Sequence, residues 1–259
     1  MKLTSLLTAG ALIAAMGTQV AKAETTDMTA DQKKAMEQVV HDYLLKNPEV
    51  LVEASQALQK KQQQVMQQEA QSAIAEHAND LIRGELAVAG NPKGNVTLVE
   101  FFDHQCIHCK KMKPVVTELL QKNPSLRVVY KEFPIFGKES EIASKVAIAA
   151  AMQGKYMPVQ EALLKSEGHL DEQKIMDIAK QAGVDMTKLK TDMDSKAVTD
   201  MLSDNRKLAE AIHLMGTPAF IVLSTPNGQF KAGSEAAFIP GAASTEALQG
   251  LINKANEVK

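Results

Sequence analysis

The sequence predicts an α/β domain built on a strand–helix–strand unit, interrupted by a run of helices and preceded by a helical segment. Three observations carry that expectation. Strand-like runs occur over 96–102 and 126–133, with a helix-periodic stretch between them. From 140 to 215 the periodicity is helical throughout, and strand character returns only at Ala219-Phe220-Ile221-Val222-Leu223. Residues 24 to about 85 contain no convincing strand pattern.

Residues 1–23 read as a secretory signal peptide: Lys2 supplies the positive start, Leu3 to Val20 hold the apolar stretch, and Ala21-Lys22-Ala23 is a small-residue cleavage pattern. The apolar part is short and broken by Thr8, Gly10, Gly17, Thr18 and Gln19, so a retained anchor is the weaker alternative. Export of the remainder is expected. Removal of Lys2 and Lys22 takes the formal charge from −2 to −4, which argues against nucleic acid as a partner.

Thr29-Ala30-Asp31-Gln32 is a capping-box pattern, followed by Met36, Val39, Val40, Tyr43 and Leu44 at helical spacing. Asn47-Pro48-Glu49 opens a second helix, expected to run to about Arg83 and end at Gly84. Its middle, Lys60-Lys61-Gln62-Gln63-Gln64, is polar on every side and cannot lie against a core. Two such helices have too little apolar surface to be stable alone, so a homodimerisation segment over 24–85 is expected, with a solvated linker helix as the alternative.

Ala89 to Asn95 read as a turn-rich hinge, which divides the exported chain into a helical segment and linker (24–90) and an α/β domain (91–259). Within that domain, strands at 96–102 and 126–133 flank a helix at 106–122, which Pro114 should kink. In the helical insertion, Ser140, Asp171, Asp185 and Ser195 are candidate caps, and Gly154 and Gly183 candidate stops. Pro226-Asn227-Gly228 reads as a hairpin turn with Gln229 to Gly233 as the partner strand, and a last helix runs from Ser244 to about Ala255.

The chain has two cysteines, in Cys106-Ile107-His108-Cys109, directly after the first strand. So small a loop stabilises a fold little when closed, so the value of the pair is chemical. A strand feeding Cys-x-x-Cys at a helix start is the layout of a thioredoxin-like redox site, with the redox-active disulfide in place of any cofactor. Unpaired N–H groups at the helix N-terminus favour a thiolate, which assigns Cys106 as the exposed attacking cysteine and Cys109 as the buried resolving one. His108, if protonated, favours the thiolate further. A zinc or copper site from His104, Cys106, His108 and Cys109 is the competing chemistry.

Glu100 and Lys131 interrupt apolar strands, and buried charges are costly unless paired. They are expected to face each other below the disulfide and pass a proton to or from Cys109, with a purely structural pair or solvent-facing strand ends as the alternatives. Thr217-Pro218, ahead of a strand, is a candidate cis peptide.

Val99-Glu100-Phe101-Phe102-Asp103 leading to Cys106-Ile107-His108-Cys109, the helical insertion, Gly216-Thr217-Pro218-Ala219-Phe220 and Ile239-Pro240-Gly241 resemble the DsbA family of bacterial periplasmic disulfide oxidoreductases. The segment with Asn47-Pro48-Glu49-Val50-Leu51 looks like the extension of the longer, Com-type DsbA-like proteins, which assemble through it. The resemblance implies a thioredoxin-like fold, a Cys106–Cys109 redox pair, and Thr217-Pro218 as a cis-proline loop that pairs with substrate backbone. It also matches Glu100 with the family's buried acid. Ile107 stands where classical DsbA has proline, and Thr217 resembles the DsbC type, which favours shuffling of disulfides as well as their formation. The implied setting is the periplasm, the substrates are unfolded or misoxidised exported proteins, and the redox partner is a membrane protein of DsbB or DsbD type. A periplasmic reductase and a non-enzymatic envelope assembly or chaperone protein are the alternatives.

Overall fold

The computed structural model describes residues 28–84 and 86–258; the expected signal peptide at 1–23 lies outside the described residues. The chain divides into two compact units, one ending at Leu58 and the other beginning at Gln59.

In the first unit, α1 (Ala30–Lys46) opens on the expected capping box. The Gln32 N–H donates to the Thr29 hydroxyl at 3.3 Å, and the Thr29 N–H donates to Gln32 Oε1 at 2.9 Å. No residue of α1 is buried, and Met36, Val39, Val40, Tyr43 and Leu45 are exposed. The second helix, α2 (Glu49–Glu76), begins in this unit with Leu51, Val52 and Leu58 also exposed.

In the second unit α2 buries Ala70 and Ile74. It stops at Glu76, short of the expected Arg83, and α3 (Ala78–Ile82) follows after His77. Ala78, Leu81 and Ile82 thereby join Ile74 in one apolar cluster with Val99, Phe101 and Ile221.

The mixed sheet comprises β1 (Val88–Gly90), β2 (Val96–Phe102), β3 (Leu126–Glu132), β4 (Ala219–Ser224) and β5 (Ala237–Pro240), in the order β1-β3-β2-β4-β5. β2 and β3 are parallel, joined through α4 (Ile107–Lys122), which carries Pro114 inside it. Ala89 and Gly90, read as the start of a hinge, belong to β1 and pair with β3. Gly90 has a φ of +78°, and a Cβ there would lie 2.3 Å from the Leu126 carbonyl oxygen, so only glycine fits. The partner of β4 is 237–240 rather than 229–233: the Ser224 carbonyl accepts from the Lys231 N–H, the chain turns again at Gly233 (φ +80°), and only then pairs.

Every residue of β2 is buried, as expected of a strand covered on both faces. Leu98 and Phe102 face one apolar cluster with Leu126, Val128, Phe220 and both cysteines; Val99 and Phe101 face the other. The helical insertion comprises α5 (Lys138–Ala151), α6 (Tyr156–Lys165), α7 (Glu172–Gln181), α8 (Met186–Asp192) and α9 (Lys196–Ala211), and α10 (Thr245–Glu257) closes the chain. Asp171, Asp185, Ser195 and Ser244 each accept an N–H as N-caps. Ser140 does not cap α5, whose N-cap is Gly137; its hydroxyl is buried instead.

Candidate redox site

β2 ends at Phe102, and three residues later the chain enters α4 with Cys106 as its N-cap. Asp103 holds this turn. Its buried carboxylate accepts from the N–H groups of Gln105 (2.7 Å), Ile135 (2.7 Å) and Phe136 (3.1 Å) and from the Ser140 hydroxyl (2.7 Å). Its carbonyl accepts from the Cys106 N–H at 3.1 Å. A buried carboxylate with four donors is fully compensated, so the turn is tied both to β3's exit and to α5.

The Cys106 thiol donates to the Thr217 carbonyl at 3.4 Å and accepts from the Cys109 N–H at 3.2 Å. The Thr217–Pro218 peptide is cis, as expected from the resemblance. Contact with Cys109 pulls the Cys106 thiol down to about 6; burial opposes this, while Thr217 and the N–H groups of Cys109 and His108 assist it. Cys109 is raised, by burial first and then by its contact with Cys106. One sulfur is thus poised as thiolate and the other as thiol. Cys106 is less open than expected, with 3% of its surface accessible against none for Cys109. The His108 imidazole is exposed on the first turn of α4, and it is the main-chain N–H of His108 that acts on Cys106.

The expected pairing of Glu100 with Lys131 does not occur. In the β2–β3 register Glu100 lies opposite Tyr130, and Lys131 lies opposite Phe101. Side chains alternate along a strand, so the two charges project from opposite faces of the sheet. Lys131 donates to the carbonyls of Asp80 (3.0 Å) and Arg83 (2.7 Å) and lines a cavity of about 640 Å³ with His77, Asp204 and Leu208. Burial pushes its ammonium down to about 8.

Glu100 shares the face of the cysteines. Burial pushes its carboxyl up to about 8; Lys113 opposes the rise, and the charges of Cys106 and Glu132 add to it. Lys113, also buried, sits 3.1 Å from Glu161 Oε1 and 6.0 Å from the centre of the Tyr130 ring.

Glu132 is not singled out by the sequence pattern, where it is the penultimate residue of the 126–133 strand run. It is fully buried and accepts from Tyr156 (2.9 Å) and Ser144 (2.8 Å), with His104 Nε2 3.0 Å from Oε2. Its signal was the one that singled out Lys131, an ionisable residue in an apolar run. His104 is thereby turned towards Glu132; among the described residues no group of three or more His, Cys, Asp or Glu is arranged to hold a metal ion. Around the turn, Ile107, Ile135, Phe136 and Met215 remain exposed on segments that hold or adjoin Cys106 and Thr217.

The family profile described as a DSBA-like thioredoxin domain matches residues 97–253, and the one described as the copper resistance protein ScsC N-terminal domain matches residues 32–64. The crystal structure of Salmonella enterica Typhimurium BcfH is similar at 32% identity and a TM-score of 0.74, covering 87% of this chain and 96% of that one. A thioredoxin-like oxidoreductase from Silicibacter pomeroyi DSS-3 is similar at 34% identity and a TM-score of 0.63, covering 70% and 98%. The thiol:disulfide interchange protein DsbA of Bordetella pertussis is 28% identical over 135 residues, which are 50% of this chain and 64% of that protein. Other curated relatives are Na(+)/H(+) antiporters, and the chain spans 25% of the length of NhaA 1 from Salinispora arenicola.

Proposed function

The chain belongs to the DSBA-like thioredoxin domain family, and we propose on that premise that it is a thiol-disulfide oxidoreductase whose redox pair is Cys106 and Cys109. The observation that carries this reading is the asymmetry of the two sulfurs. Cys106 has its thiol lowered to about 6 at the start of α4, and Cys109 has its thiol raised in the interior.

In oxidation, a substrate thiolate attacks Cys106 Sγ of the Cys106–Cys109 disulfide. The S–S bond breaks, and Cys109 leaves with the electron pair and takes up a proton. Glu100, protonated at neutral pH and buried on the same face, is the donor. A second substrate thiolate then attacks the substrate sulfur of the mixed disulfide, and Cys106 departs as the thiolate. The substrate has lost two electrons and the protein has gained them. In isomerisation the cycle starts from the reduced protein, with the Cys106 thiolate attacking a wrong substrate disulfide. Thr217 and Pro218 lie beside the attacked sulfur, where they would pair with substrate backbone, and His108 flanks it.

Exposed Ile107, Phe136 and Met215 suit unfolded chains with apolar side chains as substrates. Action in the periplasm, after removal of 1–23, and recharging by a membrane protein of DsbB or DsbD type complete the reading. The exposed apolar residues of α1 support self-association through the N-terminal segment, as a homodimer. Replacing Cys106 by serine should abolish dithiol oxidation and disulfide shuffling alike; retention of either in the purified variant overturns the assignment.

A further inference from the structure

Glu132 stands at the end of β3, and its carboxylate is a meeting point. Ser144 reaches it from α5, Tyr156 from α6, and His104 from the turn that delivers Cys106; the Glu132 carbonyl also accepts from the Asn205 amide of α9 at 3.1 Å. His104 has no surface exposure and Glu132 has 1%. A carboxylate so placed needs every one of its donors, because an unmatched charge in the interior is strongly unfavourable.

Among the described residues His104 is used through one nitrogen only. Its Nε2 lies 3.0 and 3.2 Å from the two Glu132 oxygens, its Nδ1 is buried without a partner, and its ring packs edge-on to Phe102 at 5.0 Å between centres. A hydrogen bond from this ring to a carboxylate, which as the anion only accepts, is made by the Nε2 N–H. Two residues on, the Cys106 N–H donates to Asp103, and Cys106 Sγ receives the Cys109 N–H. The turn therefore has two interior anchors, Asp103 to the 135–140 segment and His104 to Glu132.

The geometry points to His104 as a positioning residue for the redox pair: through its single hydrogen bond to Glu132 it locks the turn that aims Cys106 at the N–H groups of α4. Loss of that bond frees the turn and leaves the Glu132 carboxylate one donor short, near Glu100. Both effects work against a thiolate on Cys106. The ionisable groups that face this cluster are Glu100 from β2, Tyr130 from β3, Cys106 and Lys113 from α4, and Tyr156 from α6. The inference rests on the redox pair proposed above. Titration of the Cys106 thiol can nevertheless be read whether or not the protein exchanges disulfides, so failure of one is distinguishable from failure of the other.

The test is to follow alkylation of Cys106 against pH in the reduced full chain, and its equilibrium with glutathione, for the parent, His104→Leu and His104→Gln. His104→Leu removes the donor and should raise the alkylation midpoint by about one pH unit and move the glutathione equilibrium about tenfold towards the disulfide. His104→Gln keeps one N–H at similar reach and should restore both to within about twofold of the parent. A lowered melting temperature in His104→Leu with an unmoved midpoint would show a purely structural histidine and overturn the proposal. Failure of His104→Gln to recover the midpoint would do the same. Should His104→Leu not fold, the unmodified protein decides: the His104 Nε2 proton resonance should shift between the dithiol and disulfide forms, and an unchanged resonance overturns the assignment.

Discussion

The Cys106 thiol meets the Thr217 carbonyl at 3.4 Å, although the two residues stand 111 positions apart. The contact brings the cis-proline loop to the sulfur at the helix N-terminus, a thiol that Cys109 above all lowers to about 6. The chemistry of the site is therefore a property of the closed fold, with consequences that can be measured.

Alkylation of the reduced protein should give a single reactive cysteine with a midpoint near pH 6, while Cys109, buried and raised, stays unmodified until the chain unfolds. Because the folded thiol is lowered from the ordinary 9.0 to about 6, the thiolate contributes stability that is fully present above pH 9 and lost as pH falls through 6. Melting of the dithiol form relative to the disulfide form, followed across that window, checks the sign.

A stabilised thiolate makes the dithiol the favoured state, so the disulfide should oxidise thioredoxin, whose potential is roughly −270 mV. Equilibration with glutathione of known ratio reads this directly. A potential at or below that of thioredoxin would favour the reductase reading.

Glu100 is raised from 4.5 to about 8, so it favours the fold while protonated. That contribution is fully present below pH 4.5 and lost as pH rises through 8, at up to about 1.4 kcal/mol per pH unit. Glu100→Gln should flatten the slope of denaturant stability between those limits and slow release of Cys109 from the disulfide.

Lys131→Met should leave the Cys106 alkylation midpoint within about 0.2 units of the parent, since the amine lies across the sheet and bonds to the Asp80 and Arg83 carbonyls. Asp103→Ala, by contrast, strands four donors and should cost about 3 kcal/mol of stability by urea denaturation.

Self-association should depend on α1. Removing residues 24–58 should lower the native mass to that of one chain and leave Cys106 alkylation intact. A cut at 85 would be a poor test, since Ile74, Leu81 and Ile82 belong to the core of the second unit.

What was legible in the sequence is what short-range physics decides. The cap residues Thr29, Asp171, Asp185 and Ser195 each bond an N–H within three positions, so their roles follow from local spacing. The same holds for Cys106 at the start of α4 and for the strand–helix–strand around it. β1 escaped notice because three residues at a sheet edge leave no periodic signal, and β5 was misplaced because two turns intervene after β4.

The sequence by itself thus determined the placement of the cysteine pair, its helix and the helical insertion, all set by neighbours a few positions apart. Tertiary structure alone decided which charges meet. Glu100 and Lys131 are alike as interruptions of apolar strands, but strand register sends one towards the sulfurs and the other to the far face, while Glu132 reaches His104. Side chains alternate by single residues, so register settles the partner of a buried charge, and register is fixed only when the strands pair.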